Sequence, residues 1–174
     1  MLPAFKKILY CTDLSKNASF AFKYAAYLAQ QTGAQIHILH IVEKLSSDAY
    51  FALQTYVQNE ASRDDFLHHR IEHARKRLQE RQDYFWNVLA PQDKALRSQV
   101  ASIDIVENEP AESILKQSRK LDCDLIVMGA HEKGYVMHTF LGSVAKSVLR
   151  HSHIPTLIVP LPDNEEIIGL TAVE

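Results

Sequence analysis

The sequence predicts an α/β fold built on a parallel sheet. Three observations carry this. Short apolar runs of strand length recur along the chain, at Lys7–Cys11, Ile36–Val42, Val100–Val106, Cys123–Met128 and Pro155–Val159. Between most of them lie stretches with apolar residues at helical spacing. The run Cys123-Asp124-Leu125-Ile126-Val127-Met128 does not alternate, apart from Asp124, as expected of a strand covered on both faces. Strands that alternate with helices pair in parallel.

The first run, Lys7-Ile8-Leu9-Tyr10-Cys11, enters the cap-rich turn Thr12-Asp13-Leu14-Ser15. Ala18, Ala21, Phe22, Ala25, Leu28 and Ala29 then mark the inner face of a helix, which Gly33 stops. Phe20, Tyr24 and Tyr27 form a second stripe on it, expected to pack against a neighbouring helical segment. Ile36 to Val42 is the second strand. Residues 46 to 89 hold neither Gly nor Pro, and read as one or two helices with a break near Asn59 to Asp65. That segment is long for a crossover, and Pro91 marks its end. The third strand, Val100 to Val106, has one more polar face, which suits a sheet edge. Glu109-Pro110 opens a helix with proline at the tolerated first position. Its inner face is Ala111, Ile114, Leu115, Ser118 and Leu121. The fourth strand leads into a long loop, then a helix from about Gly142 to His151. After the fifth strand, Pro160 to Asn164 reads as a linker and the remainder as a tail.

Composition narrows the function. The 174 residues suit one domain, with 47% apolar residues for its core. A net charge of −2 offers no basic field for nucleic acid. No stretch approaches the roughly 20 apolar residues of a membrane span, and the N-terminus lacks signal-peptide order, so a cytoplasmic protein is expected. Cys11 and Cys123 stand about four residues apart along neighbouring strands, roughly 13 Å. That is too far for a disulfide.

Ligands of parallel α/β sheets bind beyond the carboxyl ends of the strands, where strand order reverses. The loops after strands one, two and four are therefore the candidates. The last of these is Gly129-Ala130-His131-Glu132-Lys133-Gly134 onward to Gly142-Ser143-Val144. A helix starting there presents backbone N–H groups and a partial positive charge to an anion. Ser143 adds a hydroxyl, or simply caps the helix. Lys133 is the loop's cation. Neither a Gly-Lys-Ser/Thr sequence nor Gly-x-Gly-x-x-Gly occurs. His68, His69 and His73 stand on the helical insert without zinc-protease spacing, and read as a solvated face. There is no convincing Ser/His/Asp set.

Met128-Gly129-Ala130-His131, Gly142-Ser143-Val144-Ala145, Val148-Leu149-Arg150-His151 and Ile154-Pro155-Thr156-Leu157-Ile158-Val159 together resemble the C-terminal signature of the universal stress protein family. Lys6 to Ser15 and Leu39-His40-Ile41-Val42 resemble its first two strands. The likeness runs to about Pro160. It implies a Rossmann-like, open five-stranded parallel sheet in the order 3-2-1-4-5 with helices on both faces, and a homodimer through the last strand, here Thr156–Val159. It implies an ATP or AMP pocket in many members; Mg is a possible companion to ATP here, because a divalent cation could bridge Glu132 and the phosphate oxygens. Carried onto this sequence, the nucleotide residues are Thr12, Asp13 and Ile41 around the adenosine, and Met128, Gly129, His131, Gly142, Ser143 and Val144 around the phosphates; Lys133 joins the candidates as the loop's cation, or is a solvated loop lysine. Glu132 replaces the middle glycine of the family's Gly-x2-Gly-x9-Gly-Ser/Thr pattern. It adds bulk and a like charge, worth roughly 4 kcal/mol at 4 Å and an effective dielectric near 20. The expected function is a dimeric, cytoplasmic stress-response sensor with hydrolysis slow or absent. The alternatives are a same-fold interaction protein without nucleotide, and an enzyme on the same fold. The expected domain is 1–160, with an insert at about 46–90 and a tail at 161–174.

Overall fold

The computed structural model describes residues 2–89, 91–130 and 141–160, with the side chain of Gln92 excepted. The order along the chain is β1 (Lys7–Thr12), α1 (Lys16–Thr32), β2 (Gln35–Val42), α2 (Ser47–Tyr56), α3 (Glu60–Val88), a 3₁₀ segment (Pro91–Gln99), β3 (Val100–Glu107), α4 (Pro110–Lys120), β4 (Leu125–Gly129), α5 (Ser143–His151) and β5 (Thr156–Val159). The strands form one sheet in the order β3-β2-β1-β4-β5, and every neighbouring pair is parallel. Each strand lies within a residue or two of the stretch its apolar run marks. The largest shift is at β4, which begins at Leu125, so that Cys123 precedes the strand.

Both sheet faces are covered. One face gathers Ile8, Tyr10, Ile36, Ile38 and Val127 against α1 and α3, and the other gathers Leu9, Cys11, Leu39, Ile126 and Met128 against α4 and α5. The first face is aromatic. Phe22 lies 4.8 Å from Tyr10, 4.6 Å from Phe85 and 5.7 Å from Trp86, centroid to centroid. These tilted and edge-on arrangements add to the area buried. Tyr10 donates from its hydroxyl to the Ala18 carbonyl at 2.6 Å, which satisfies the phenol inside the core and joins β1 to α1. Both cysteines are free and buried on the second face. Burial pushes the Cys11 thiol far up, and Cys123 to about 11.

Two sequence expectations need correction. The aromatic stripe of α1 does not pack as a unit: Phe20 is buried, but Tyr24 and Tyr27 stay 44% and 59% exposed. The face that meets α3 is Phe22's, since Phe85 and Trp86 reach that side. The insert is two helices, as the sequence allows, and the break at residues 57–59 meets the expected span at Asn59. Asn59 caps α3 there by accepting from Ala61 N at 2.9 Å. Ser143 is not a cap: Gly142 holds the N-cap position of α5 with no side-chain bond.

Other helix ends follow the sequence closely. Ser15 caps α1 by accepting from Ala18 N at 3.1 Å. Gly33 closes it at φ 74°, a conformation side chains resist. Glu109 caps α4 ahead of Pro110. Among the described residues α2 buries none of its side chains, and Tyr50, Phe51 and Tyr56 are exposed. His68, His69 and His73 are all exposed, as expected. No helix among the described residues is long and apolar enough to cross a membrane.

Candidate functional site

A cavity of about 250 Å³ opens at the carboxyl ends of β1, β2 and β4. This is the switch point, because β2 lies on one side of β1 and β4 on the other. Its lining comes from the β1–α1 turn, the end of β2, the start of α4, the end of β4 and the first turn of α5.

The β1 end is a turn held by its own side chains. Thr12 Oγ1 accepts from Leu14 N at 3.0 Å, and Asp13 Oδ1 accepts from Ser15 N at 2.8 Å. Leu14 sits at φ 62°, a left-handed conformation costly for a branched-chain residue. Its buried side chain and the two flanking bonds hold it there. The result turns Asp13 outward: it is exposed and lines the cavity. It belongs to the turn, whereas the helix cap is Ser15.

At the neighbouring end of β2, Ile41 and Glu43 line the cavity, joined by His40. His40 Nδ1 lies 2.7 Å from the Thr12 carbonyl. A carbonyl only accepts, so Nδ1 carries the proton. Burial lowers this ring's pKa, partly offset by that bond, so the ring is neutral near pH 7. Apolar walls come from Ile114 of α4, Met128 and Ala130 of β4 and its end, and Val144 and Ala145 of α5.

The far end is the N-terminus of α5. Gly142 N donates to the Ala130 carbonyl at 2.8 Å, and Gly142 O receives the first helical bond from Lys146 N at 3.0 Å. The chain therefore leaves β4 and re-enters α5 at adjacent points. Gly142, Val144 and Ala145 face the cavity. Ser143 is exposed and is not part of the lining. The helix dipole places partial positive charge at this end.

Gly129 is required for a reason its sequence context hides. A Cβ there would lie 2.5 Å from Asn17 Oδ1 and 2.8 Å from Asn17 Cγ. Asn17 is buried and donates from Nδ2 to the Val159 carbonyl at 3.1 Å. It links the first turn of α1 to β5 across the end of β4.

Of the sequence candidates, Thr12, Asp13, Ile41, Met128, Gly129, Gly142 and Val144 come together in one cavity. His131, Lys133 and Glu132 lie outside the described residues. Sequence reasoning missed Cys11, Ala18, His40, Glu43, Pro110, Ile114, Ala130 and Ala145. Pro110 and Ile114 had a signal, since the β3–α4 turn also lies at the carboxyl end of the sheet. His40 had none, because strand alternation puts it on the opposite face from Ile41. Among the described residues no three His, Cys, Asp or Glu gather to hold a metal.

Comparison with known proteins points one way. A model of the universal stress protein family matches residues 4–160. Universal stress protein G of Salmonella typhimurium is 32% identical over 139 residues, which cover 80% of this chain and 86% of the relative. Universal stress protein MJ0577 of Methanocaldococcus jannaschii is 28% identical over 158 residues, 89% of this chain and 94% of the relative. The solved MJ0577 structure superimposes with a TM-score of 0.63 at 26% identity, over 93% of this chain and 100% of that one. A universal stress protein solved in complex with cAMP superimposes with a TM-score of 0.50 at 17% identity, over 91% of this chain and 98% of that one, a likeness of fold. With the signature residues, the sheet order and the family model in agreement, this chain belongs to the universal stress protein family.

Proposed function

We propose that the protein is a dimeric, cytoplasmic stress-response regulator that holds an adenine mononucleotide, AMP or ATP, in the cavity between β1 and β4. The observation that carries this is the cavity's polarity. One end is lined by the acidic residues Asp13 and Glu43; the middle is an apolar slot; the other end is a helix N-terminus. Ribose hydroxyls and an exocyclic amine are donors, a purine is a flat apolar plate, and phosphate is an anion. A nucleoside phosphate fits that sequence of environments from end to end. The volume, near the lower end of the roughly 300–1,000 Å³ usual for small-ligand pockets, suits one nucleotide and not two. The cAMP complex of a relative with this fold supports the same ligand class.

Binding and release fit the site better than turnover. His40 has its proton committed to the Thr12 carbonyl, and the Asp13 carboxylate accepts from its own turn. Thermal unfolding with and without AMP, ATP, cAMP and GMP tests the proposal. A ligand at 100 times its Kd adds about 2.7 kcal/mol, and Asp13→Ala should weaken every adenine ligand. Absence of any shift refutes the reading.

One observation favours a second reading. The short helix α2 presents Tyr50, Phe51 and Tyr56 to solvent. A ten-residue helix is marginal on its own in water, and exposed aromatic residues are common at protein interfaces. On that reading the protein is a same-fold interaction module that binds no nucleotide. A protein that binds none of these ligands would favour it.

A further inference from the structure

Helix α3 carries Arg70, Arg77 and Arg81, spaced to fall on one stripe. The outer two grip the loops that frame the cavity. Arg70 Nη1 lies 2.7 Å from Glu107 Oε1 at the end of β3, and Arg70 Nη2 donates to the Glu43 carbonyl just past β2. Arg81 Nη1 donates to Ser19 Oγ at 2.7 Å and to the Ser15 carbonyl at 3.3 Å, at the start of α1. Glu43 lines the cavity, and so does Asp13, whose carboxylate is bonded to Ser15 N. Among the described residues none from α3 lines it. The helix therefore touches the site only through the loops it holds.

The two halves of α3 are seated differently. Leu78, Phe85 and Trp86 bury the C-terminal half in the core, whereas among the described residues none before Ala74 is buried. In the N-terminal half, Arg70 ties the helix to two strand ends at once. A planar guanidinium can span two acceptors in this way, and an ammonium cannot hold the same fork.

We infer that Arg70, with Arg81, is a positioning residue for the nucleotide cavity: by fixing Glu43 and the β1–α1 turn it sets the acceptor end of the site, and makes ligand binding and seating of α3 mutually dependent. The inference rests on the nucleotide reading above. Coupling of this kind is reciprocal, so a bound nucleotide tightens the N-terminal half of α3 by the factor by which a seated α3 tightens nucleotide. A family pocket thereby gains a handle on a helical insert some distance away.

The test uses the full chain, AMP and three variants. Arg70→Ala should weaken AMP binding about five- to twentyfold. It should leave the melting temperature near wild type, because the buried half of α3 is untouched. Arg70→Lys keeps the pair with Glu107 but not the reach to Glu43, and should recover only part of the affinity. Arg75→Ala, on the exposed side of the helix where it pairs with Glu72, should bind as wild type does. Hydrogen exchange adds a readout that simple destabilisation would not give: AMP should protect amides of residues 60–73 in wild type and not in Arg70→Ala. Wild-type affinity in Arg70→Ala, or equal AMP protection of that segment in both proteins, overturns the inference and leaves the nucleotide site standing. If wild type binds no adenine nucleotide, both fall together. If Arg70→Ala does not fold, the comparison of Arg70→Lys with wild type decides by the same criteria.

Discussion

Replacing Gly129 by Ala isolates one contact that holds the site together. The added methyl would stand 2.5 Å from Asn17 Oδ1 and 2.8 Å from Cγ, with Ala18 N at 3.4 Å. The first two separations lie inside van der Waals contact, so Asn17 must withdraw by the better part of an ångström. Asn17 is 4% exposed, so it has no solvent to move into. Withdrawal also breaks its 3.1 Å bond to the Val159 carbonyl. Overpacking of this kind costs about 1–3 kcal/mol, and a lost buried hydrogen bond adds about 0.5–1.5 kcal/mol. A total of ~2–3 kcal/mol corresponds to a fall of about 4–12 °C in Tm for a chain of this size. No backbone strain enters, because the φ of Gly129 is not among the positive values. The assay is thermal unfolding by circular dichroism of Gly129→Ala, Asn17→Ala and the double variant. The two single costs should not add, because Asn17→Ala removes the atoms that collide. If Gly129→Ala costs under ~0.5 kcal/mol, or as much with Asn17 as without it, the clash is not what demands a glycine.

Three further predictions follow from other parts of the molecule. β5 is a half-exposed apolar edge strand, Thr156-Leu157-Ile158-Val159, and such edges pair unless covered; sedimentation should show a dimer at micromolar concentration that Ile158→Lys weakens, and a wild-type monomer would refute it. Burial lowers the pKa of His37 and of His40 below the ordinary 6.5. The unfolded chain then takes up protons before the folded one, so the stability from these neutral rings is complete above about pH 6.5 and is lost as pH falls below it; urea midpoints should drop between pH 7.5 and pH 5, and a flat profile would count against it. On the nucleotide reading, Glu132 puts a like charge into the sequence segment expected to meet the phosphates, so AMP should bind at least as well as metal-free ATP, Mg should help ATP selectively, and Glu132→Gly should favour ATP by about 1 kcal/mol or more; calorimetry of both proteins checks this, and a wild type that already prefers metal-free ATP contradicts it.

The elements that sequence made legible are those with a local cause. Apolar runs located all five strands, Gly33 and Glu109-Pro110 placed their helix ends, and the weak alternation of Val100 to Val106 put β3 at the edge. The same runs located the cavity, since strand ends in a parallel sheet converge on the switch point. What stayed hidden depends on residues distant in sequence. Asn17 looks like an ordinary first-turn residue until β4 brings Gly129 beneath it. His40 should point away from the site by alternation, yet it lines the cavity and its ring bonds the Thr12 carbonyl. Arg70 is one of many charges on a polar helix, distinguished only by the two strand ends it reaches. Tyr24 and Tyr27 fit a helical stripe, but α3 packs on the side where Phe22 meets Phe85 and Trp86.

The central claim is that an adenine nucleotide occupies the cavity between β1 and β4. Titration of AMP into the isotope-labelled protein, followed amide by amide, tests it most directly. The account predicts that Thr12, Asp13, Ile41, Gly129, Gly142, Ser143 and Val144 shift together along one saturating curve, and that Asp13→Ala moves the midpoint for all of them. Saturable shifts confined to another surface, or none at millimolar AMP, would contradict it.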